Sequence, residues 1–269
     1  MLAKTFEISE NNASQKSVSQ MTTTQAPYFR EQGFDLILTK TEYSELDRKI
    51  LTESLNLLKG LLRSTEGRSL GEDEVVEINR KLRSEGKEQI IAKGGQSALF
   101  VMNLEMPSLP YPKIVIKPYS LEKLSVASLV THYVAVLEFK KLFQQLPMAG
   151  FLRNKREADI LVRCMGVLGF GMLQEEGFPP FTIFLQEKSE GITFDKAGQN
   201  VPLNMSSIAK NIAKHGFIID PFERNWRIAV DQSDSDVLTK LEYIDIILLN
   251  ATDTQRQMIR KLLDLFQNS

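Results

Sequence analysis

The chain has 269 residues, with 33 Lys and Arg against 34 Asp and Glu, a formal net charge of −1, and 42% hydrophobic residues. This length and composition support a sizeable core, which excludes a disordered, fibrous or disulfide-stapled miniature protein. The near-neutral charge gives no net field toward nucleic acid or anionic lipid, so nucleic acid is a secondary hypothesis. One cysteine and two histidines exclude an internal disulfide and a Cys/His zinc site. No apolar run approaches the roughly 20 residues that span a bilayer, and we expect a cytoplasmic protein without a membrane partner.

The N-terminal part of the chain divides into a polar segment and two helices. Residues 1 to about 33 are rich in Ser, Thr, Asn and Gln without a sustained apolar period, which predicts a flexible tail. Over about 39–64, Leu and Ile recur at three- and four-residue steps, which predicts a helix that Thr41 or Ser44 caps. A second helix is predicted over about 72–84, because acidic residues occupy its first turn and basic residues its last turn.

The pattern changes after Gly86. Three short runs rich in β-branched and aromatic residues follow, namely QIIAKGG, SALFVMNL and KIVIKPY. Separated by glycines and a Pro-rich segment, they predict three strands of a twisted antiparallel sheet. A long helix is predicted from about 120 to 146, beginning after Ser120, and two more strands are predicted near 166–174 and 181–187.

The last part of the chain is predicted to be mainly helical with a small hairpin. A helix over 203–214 precedes a polar loop over 216–225, and a terminal helix covers about 252–267. Between the loop and the terminal helix, the runs WRIAV and LEYIDIIL predict two strands.

Two glycines lie between the first two strands that follow Gly86. Because Gly94 and Gly95 have no Cβ atom, their backbone N–H groups can approach a phosphate closely. The same pair also fits an ordinary hairpin turn.

A lysine and a glutamate form the second candidate feature. Lys117 ends the β-branched part of KIVIKPY, so its ammonium projects from the sheet beside the glycine turn, where it can neutralise nucleotide phosphates. Such a lysine needs a carboxylate to hold it, and Glu138 lies 21 residues later on the long helix among inward-facing apolar residues. Glu122 is the competing carboxylate, although in the first helical turn it also fits a solvated partner of the helix dipole.

Three polar residues near the C-terminus complete the pattern. Asp220 and Asn225 lie five residues apart in the polar loop, and Asp245 follows 20 residues after Asn225 at the end of a predicted strand. Their hard oxygen ligands suit Mg²⁺ bound to ATP, while Asp220 can orient or deprotonate a hydroxyl. Taken one at a time, a solvated loop aspartate and a capping asparagine explain these residues equally well.

Taken together, the order of these features over about residues 88–250 resembles the protein-kinase-like superfamily. In this resemblance Lys117 is similar to the β3 lysine, Glu138 to its helix-C partner, and Asp245 to the metal aspartate. Asp220 and Asn225 resemble the catalytic-loop pair. The phosphate loop would be formed by Gly94, Gly95, Gln96 and Ser97.

The resemblance also assigns a hinge. The stretch IFLQEKSEG resembles strand five and the hinge, where backbone groups around Glu187 and Ser189 would bind adenine. Gln186 then takes the gatekeeper position. The nucleotide-binding residues implied by the resemblance are therefore Gly94, Gly95, Gln96, Ser97, Lys117, Glu187 and Ser189.

Departures from the family pattern favour a compact or atypical member. The His and Arg that precede the catalytic aspartate in protein kinases are replaced by two isoleucines, and only 24 residues follow Asp245. The sequence DPFERN is similar to the ubiquinone-biosynthesis kinase family, and the short chain resembles RIO kinases and aminoglycoside phosphotransferases. Phe222 stands where protein kinases usually carry a lysine for the γ-phosphate, and Arg224 is the candidate substitute.

The resemblance implies an α+β, two-lobed protein-kinase-like fold with a small antiparallel β N-lobe, a reduced helical C-lobe and an N-terminal helical extension. The predicted segments are a flexible tail (1–33), the helical extension (34–86), the N-lobe with hinge (87–191) and the reduced C-lobe (192–269). The implied function is an ATP- and Mg²⁺-dependent phosphotransferase acting on an unidentified hydroxyl acceptor.

Other functions stay open at this point. One is a nucleotide-binding pseudokinase that serves as a protein-interaction module through its tail and N-terminal helices. Nucleotidyl transfer on the same scaffold is another, because function belongs to the site and not to the fold. A third is an adaptor that binds no nucleotide.

Overall fold

The structure is a computed structural model that describes residues 28–39, 43–94, 98–109, 112–143, 148–151, 157–193, 204–229 and 240–267. In chain order its elements are β1 (Tyr28–Glu31), β2 (Phe34–Leu38), α1 (Glu45–Ser64), α2 (Glu72–Ser84), β3 (Ile90–Lys93), β4 (Phe100–Glu105), β5 (Lys113–Ser120), α3 (Val126–Phe143), β6 (Met148–Phe151), β7 (Glu157–Cys164), β8 (Val167–Glu175), β9 (Phe178–Glu187), α4 (Met205–Ala213), β10 (Phe217–Ile218), β11 (Trp226–Ala229), β12 (Lys240–Tyr243), β13 (Leu248–Leu249) and α5 (Asp253–Gln267). The described part of the chain is therefore of the mixed α+β class, as predicted.

The largest sheet has seven strands in the order β1-β2-β8-β9-β5-β4-β3, and all neighbouring pairs are antiparallel. It contains the three strands predicted after Gly86 and the two predicted after the long helix, so their antiparallel arrangement is confirmed. A four-stranded sheet has the order β11-β12-β7-β6, and β10 pairs with β13.

Helix α1 begins at Ser44, one of its two predicted caps. The Ser44 Oγ accepts a hydrogen bond from the Asp47 N–H at 3.1 Å, and the Asp47 carboxylate accepts one from the Ser44 N–H at 3.3 Å. This reciprocal pairing satisfies two backbone donors at the helix start. The helix then buries one leucine stripe against the seven-stranded sheet, formed by Leu51, Leu55, Leu58 and Leu62.

The two faces of β5 pack against different cores because side chains alternate along a strand. Ile114 and Ile116 lie in the core beneath α1, whereas Tyr119 lies in the core that includes α3, α4 and the C-terminal strands. Lys117 lies two residues before Tyr119, so its side chain points to the same face of β5 and faces the second core. This orientation places Lys117 on the side of the sheet where the C-terminal segments lie.

Several predicted boundaries need correction. Tyr28–Glu31 forms strand β1 and joins the large sheet, so the predicted tail cannot extend to residue 33; residues 1–27 lie outside the described residues. The long helix begins at Val126, since the N–H groups of Lys123 and Leu124 both donate to the Ser120 carbonyl and form a turn first.

The C-terminal part contains more strand than predicted. The single strand predicted for LEYIDIIL is divided into β12 and β13, and β12 pairs in parallel with β7, which precedes it by about 80 residues. In the described residues of this part, the helices α4 and α5 accompany four strands, where two were predicted.

Among the described helices, none combines the length and the apolar character needed to cross a membrane.

Candidate functional site

Lys117 links the large sheet to the segment that carries Asp245. It lies opposite Phe184 in the β5–β9 pairing, and its Nζ donates to Gln186 Oε1 at 2.9 Å and to the Ile244 carbonyl at 3.0 Å. Burial of the ammonium lowers the pKa of Lys117 to about 8, with the nearby Asp245 carboxylate partly opposing this shift. Lys117 therefore lies beside the segment that carries Asp245.

The segment that contains Tyr243 also contacts Asp220 and Asn225. The Asp220 N–H donates to the Tyr243 hydroxyl at 3.1 Å, and the Ile244 N–H donates to the Asn225 carbonyl at 3.0 Å. Burial raises the pKa of Tyr243, and the carboxylates of Asp245 and Asp220 add to this increase. Lys117, Asp220 and Asn225 therefore all make hydrogen bonds with Tyr243 or Ile244, the residues directly before Asp245.

Asp220 is oriented within its own loop. Its Oδ1 accepts a hydrogen bond from the Phe222 N–H at 3.0 Å, which stabilises the turn before the 3₁₀ segment Glu223–Asn225. The guanidinium of Arg224 lies 3.9 Å from Asp220 Oδ2 and 4.7 Å from the centre of the Phe222 ring. Arg224 thus places a positive charge beside Asp220, where the resemblance left a lysine missing.

Asn225 lies at the base of this loop with one buried donor unpaired. The residue is 8% exposed, and its Nδ2 has no hydrogen-bond partner among the described residues. Trp226 follows it, is fully buried and packs edge-on against Tyr243, with ring centres 4.8 Å apart. The Nδ2 group is therefore a donor that an acceptor atom of a ligand could satisfy.

Asn225 and Asp245 fit the chemistry of a magnesium site. An amide oxygen and a carboxylate are hard oxygen donors, which Mg²⁺ prefers. Among the described residues, no three His, Cys, Asp or Glu side chains form a group that could hold a metal ion. A metal held by Asn225 and Asp245 would take its other ligands from water and from the phosphates of a nucleotide.

The predicted ion pair between Lys117 and Glu138 does not form. The Glu138 carboxylate instead accepts a hydrogen bond from Lys141 at 2.7 Å on the outer side of α3. The helix side chain that reaches the Asp245 segment is His132, whose Nδ1 accepts from the Ile247 N–H at 2.9 Å. Glu138 follows His132 by six residues, which turns it about 120° around the helix and away from that segment.

Sequence reasoning missed the part played by His132. This side chain is 1% exposed, and burial lowers its pKa to about 3, so the ring is neutral near pH 7. Since Nδ1 accepts a hydrogen bond, the ring hydrogen resides on Nε2. A histidine within an otherwise apolar stretch of helix was the only signal in the sequence.

The two predicted hinge residues belong to a polar network. The Glu187 carboxylate accepts from the Gly166 N–H at 2.8 Å and from Arg163 at 2.9 Å. Ser189 Oγ donates to Glu242 at 2.6 Å. Both side chains are occupied by protein contacts, and the N–H groups of Glu187 and Lys188 donate to the carbonyls of Gly166 and Lys113, each at 2.9 Å. Adenine binding at this hinge stays a prediction of the resemblance.

An open cleft of about 580 Å³ lies next to this hinge. It runs between the exposed ends of β3, β4 and β5 and the segment that follows β9, and Lys113 reaches across it to Glu190 at 2.5 Å. Its lining residues are Glu88, Ile90, Asn103, Leu104, Glu105, Lys113, Lys188, Ser189 and Glu190. Of the strands that border the cleft, β5 also carries Lys117, four residues further along the strand than Lys113.

Of the predicted phosphate loop, the structure describes only the first residue. Gly94 follows β3, and a Cβ atom added to it would lie 2.0 Å from the Ala98 carbonyl oxygen, so the turn admits only glycine. Gly95, Gln96 and Ser97 lie outside the described residues. The contact of this turn with a phosphate stays a prediction.

No protein-family model matches the sequence, and no curated protein matches it. Function must therefore be inferred from the residues and from their arrangement.

Proposed function

We propose that the protein is an ATP- and Mg²⁺-dependent phosphotransferase of the protein-kinase-like superfamily that acts on a hydroxyl acceptor. One observation supports this above all others. Three residues selected by their order in the sequence, Lys117, Asp220 and Asn225, contact Tyr243 or Ile244, directly before Asp245, and Lys117 does so across 127 positions of the chain. A chance match of spacing does not require such convergence.

Each of these side chains has a role in the proposal. Lys117 has two acceptors among the described residues and three N–H bonds, so one N–H is left for a nucleotide phosphate. Asn225 and Asp245 would hold Mg²⁺, which neutralises phosphate charge when bound. Asp220 would orient the acceptor hydroxyl and accept its proton as the oxygen attacks the γ-phosphorus and ADP leaves.

A two-lobed arrangement is part of the same proposal. The seven-stranded sheet with Lys117 would form one lobe, and the segments from α4 onward, with Asp220 and Asp245, would form the other. Support for this division comes from the two separate hydrophobic cores, one beneath α1 and one that includes α3, α4 and the C-terminal strands.

A nucleotide-binding pseudokinase is the second candidate function. Two observations favour it: Lys117 is held without a helix carboxylate, and Phe222 leaves the γ-phosphate side of the loop without a lysine. In that case the pocket would bind nucleotide without turnover, and the protein would act on a protein partner through its tail and N-terminal helices.

Nucleotide titrations test the proposal. The wild type, Asp245→Asn and Asp220→Asn are titrated with ATP in the presence and absence of Mg²⁺, followed by thermal shift; Asp73→Asn on α2 is the matched control. Saturation at about 100 times the dissociation constant adds about 2.7 kcal/mol of stability. Asp245→Asn is expected to lose the Mg²⁺-dependent part, whereas Asp220→Asn and the control keep it.

Turnover separates the candidates. If the protein is a phosphotransferase, the wild type is expected to release ADP and Asp220→Asn is expected to release none. Release of pyrophosphate would indicate nucleotidyl transfer instead. Binding without product after long incubation would favour the pseudokinase. If no nucleotide stabilises the wild type, the proposal of a nucleotide site is wrong.

A further inference from the structure

Gln186 is the buried amide that contacts Lys117. It lies near the end of β9, 1% exposed, and pairs with Val115 of the neighbouring strand β5. From there it reaches Lys117, the second residue further along β5, at 2.9 Å from Oε1 to Nζ. An ammonium can only donate, so the amide must present its oxygen to Lys117, and its orientation is fixed.

Both acceptors of the Lys117 ammonium are neutral. One is the Gln186 side chain and the other is the Ile244 carbonyl, while the carboxylate expected to hold the lysine pairs with Lys141. A neutral oxygen fixes the direction of an ammonium without cancelling its charge. The charge is then available to an anionic ligand at the remaining N–H.

We propose that Gln186 is a positioning residue that holds the Lys117 ammonium toward the nucleotide phosphates in place of a helix carboxylate. This inference rests on the proposed nucleotide site. Gln186 acts through Lys117 and does not itself touch the phosphates. It also joins β9, immediately before the hinge, to the lysine on β5, so the base and phosphate ends of the site share one buried contact.

Three variants and two measurements test the role of Gln186. Gln186→Met keeps the size of the side chain and removes the acceptor, Gln186→Glu keeps an acceptor oxygen, and Glu138→Gln is the matched control. The first measurement is the dissociation constant for ATP with Mg²⁺ by calorimetry. The second is the ¹⁵N–¹H signal of the Lys117 ammonium in protein labelled on lysine, assigned by its loss in Lys117→Arg.

The expected results differ among the variants. Gln186→Met weakens ATP binding about tenfold, as loss of a hydrogen bond to a charged group does, and the ammonium signal is lost to exchange. Gln186→Glu restores the signal because it keeps an acceptor oxygen, but its negative charge offsets that of the ammonium, so ATP binding stays weaker than in the wild type. Glu138→Gln changes neither measurement. Gln186→Ser, which leaves room for water, replaces the Met variant if the latter does not fold, and the same losses are expected.

Other outcomes overturn the inference. ATP binding by Gln186→Met that equals the wild type would show that the contact does not position the lysine. A loss in Glu138→Gln as large as in Gln186→Met would assign the role to Glu138. If the wild type binds no ATP, the proposed function and the role of Gln186 in binding both fail, while the ammonium signal still reports whether the contact exists.

Discussion

His132 Nδ1 accepts a hydrogen bond from the Ile247 N–H at 2.9 Å, so helix α3 holds the chain two residues after Asp245. Lys117 holds the same segment one residue before Asp245, through the Ile244 carbonyl. In a continuous strand, the Ile244 carbonyl and the Ile247 N–H would instead form hydrogen bonds with a neighbouring strand. The segment therefore leaves the sheet between β12 and β13, and Asp245 lies in the resulting turn.

Removing the acceptor at position 132 is expected to destabilise the fold. His132→Phe leaves the Ile247 N–H buried without a partner, which costs about 1–3 kcal/mol, whereas His132→Asn retains an acceptor oxygen near the Nδ1 position. The free energy of unfolding in urea measures both. His215→Asn is the control; this exposed residue follows α4, its ring contacts Phe143 edge-on at 5.2 Å, and its loss is expected to cost less than about 1 kcal/mol. Equal losses in the Phe and Asn variants would argue against the hydrogen bond.

The same histidine predicts a loss of stability in acid. Burial lowers its pKa to about 3, whereas in the unfolded chain it titrates near 6.5. Between these values the unfolded state binds the extra proton, so stability falls as the pH falls, by at most about 1.4 kcal/mol per pH unit from this group. Urea unfolding of the wild type and His132→Asn from pH 7 to pH 4 checks this. Parallel pH profiles would show that His132 does not titrate as its burial requires.

Much of the architecture was predictable where local signals agree. The bounds of α2 were predicted correctly, because its acidic first turn and basic last turn mark both ends. The order of Lys117, Asp220, Asn225 and Asp245 also came from sequence, since each residue follows or precedes a strand whose pattern is visible. Ser44 satisfied the capping pattern better than Thr41 because Asp47 follows it at the reciprocal position.

The remaining contacts depend on relations that local sequence does not contain. Helix α3 is buried on most sides, so its apolar pattern does not fix which residue faces Lys117, and Glu138 was placed on the wrong side. The parallel pairing of β7 with β12 joins segments far apart in the chain, and β7 alone carries no sign of its partner. The neutral acceptor Gln186 was visible only as a residue beside the hinge.

The network behind the hinge predicts a large effect of one arginine. Arg163 lies 2.9 Å from Glu187 and 3.7 Å from Glu242, and all three side chains are at most 13% exposed. Arg163→Met removes the cation that lies between two buried carboxylates, which is expected to cost about 3–5 kcal/mol of stability. Lys141→Met, which breaks the more exposed pair with Glu138, is expected to cost less than about 1 kcal/mol. Chemical denaturation compares the two variants, and similar losses would contradict the structural role of the network.

The buried ammonium of Lys117 predicts a pH dependence of the same sign in alkali. Its pKa is about 8 in the folded protein, whereas the unfolded chain keeps this proton to near 10.5. Between these values the unfolded state binds more protons, so the contribution of Lys117 raises stability as the pH increases, by at most about 1.4 kcal/mol per unit. Buried tyrosines and Cys164 have raised pKa values and act in the other direction above about pH 9.

The difference between the wild type and Lys117→Met isolates the lysine, because those other groups are common to both proteins. We expect the free energy of unfolding of the wild type to increase relative to that of the variant from pH 7.5 to pH 9.5, measured by urea unfolding at each pH. Since the charged lysine is costly to bury, the variant is also expected to lose ATP binding without a matching loss of stability at pH 7. A constant difference across the pH range would mean that the ammonium keeps its ordinary pKa and is not enclosed between Gln186 and Ile244.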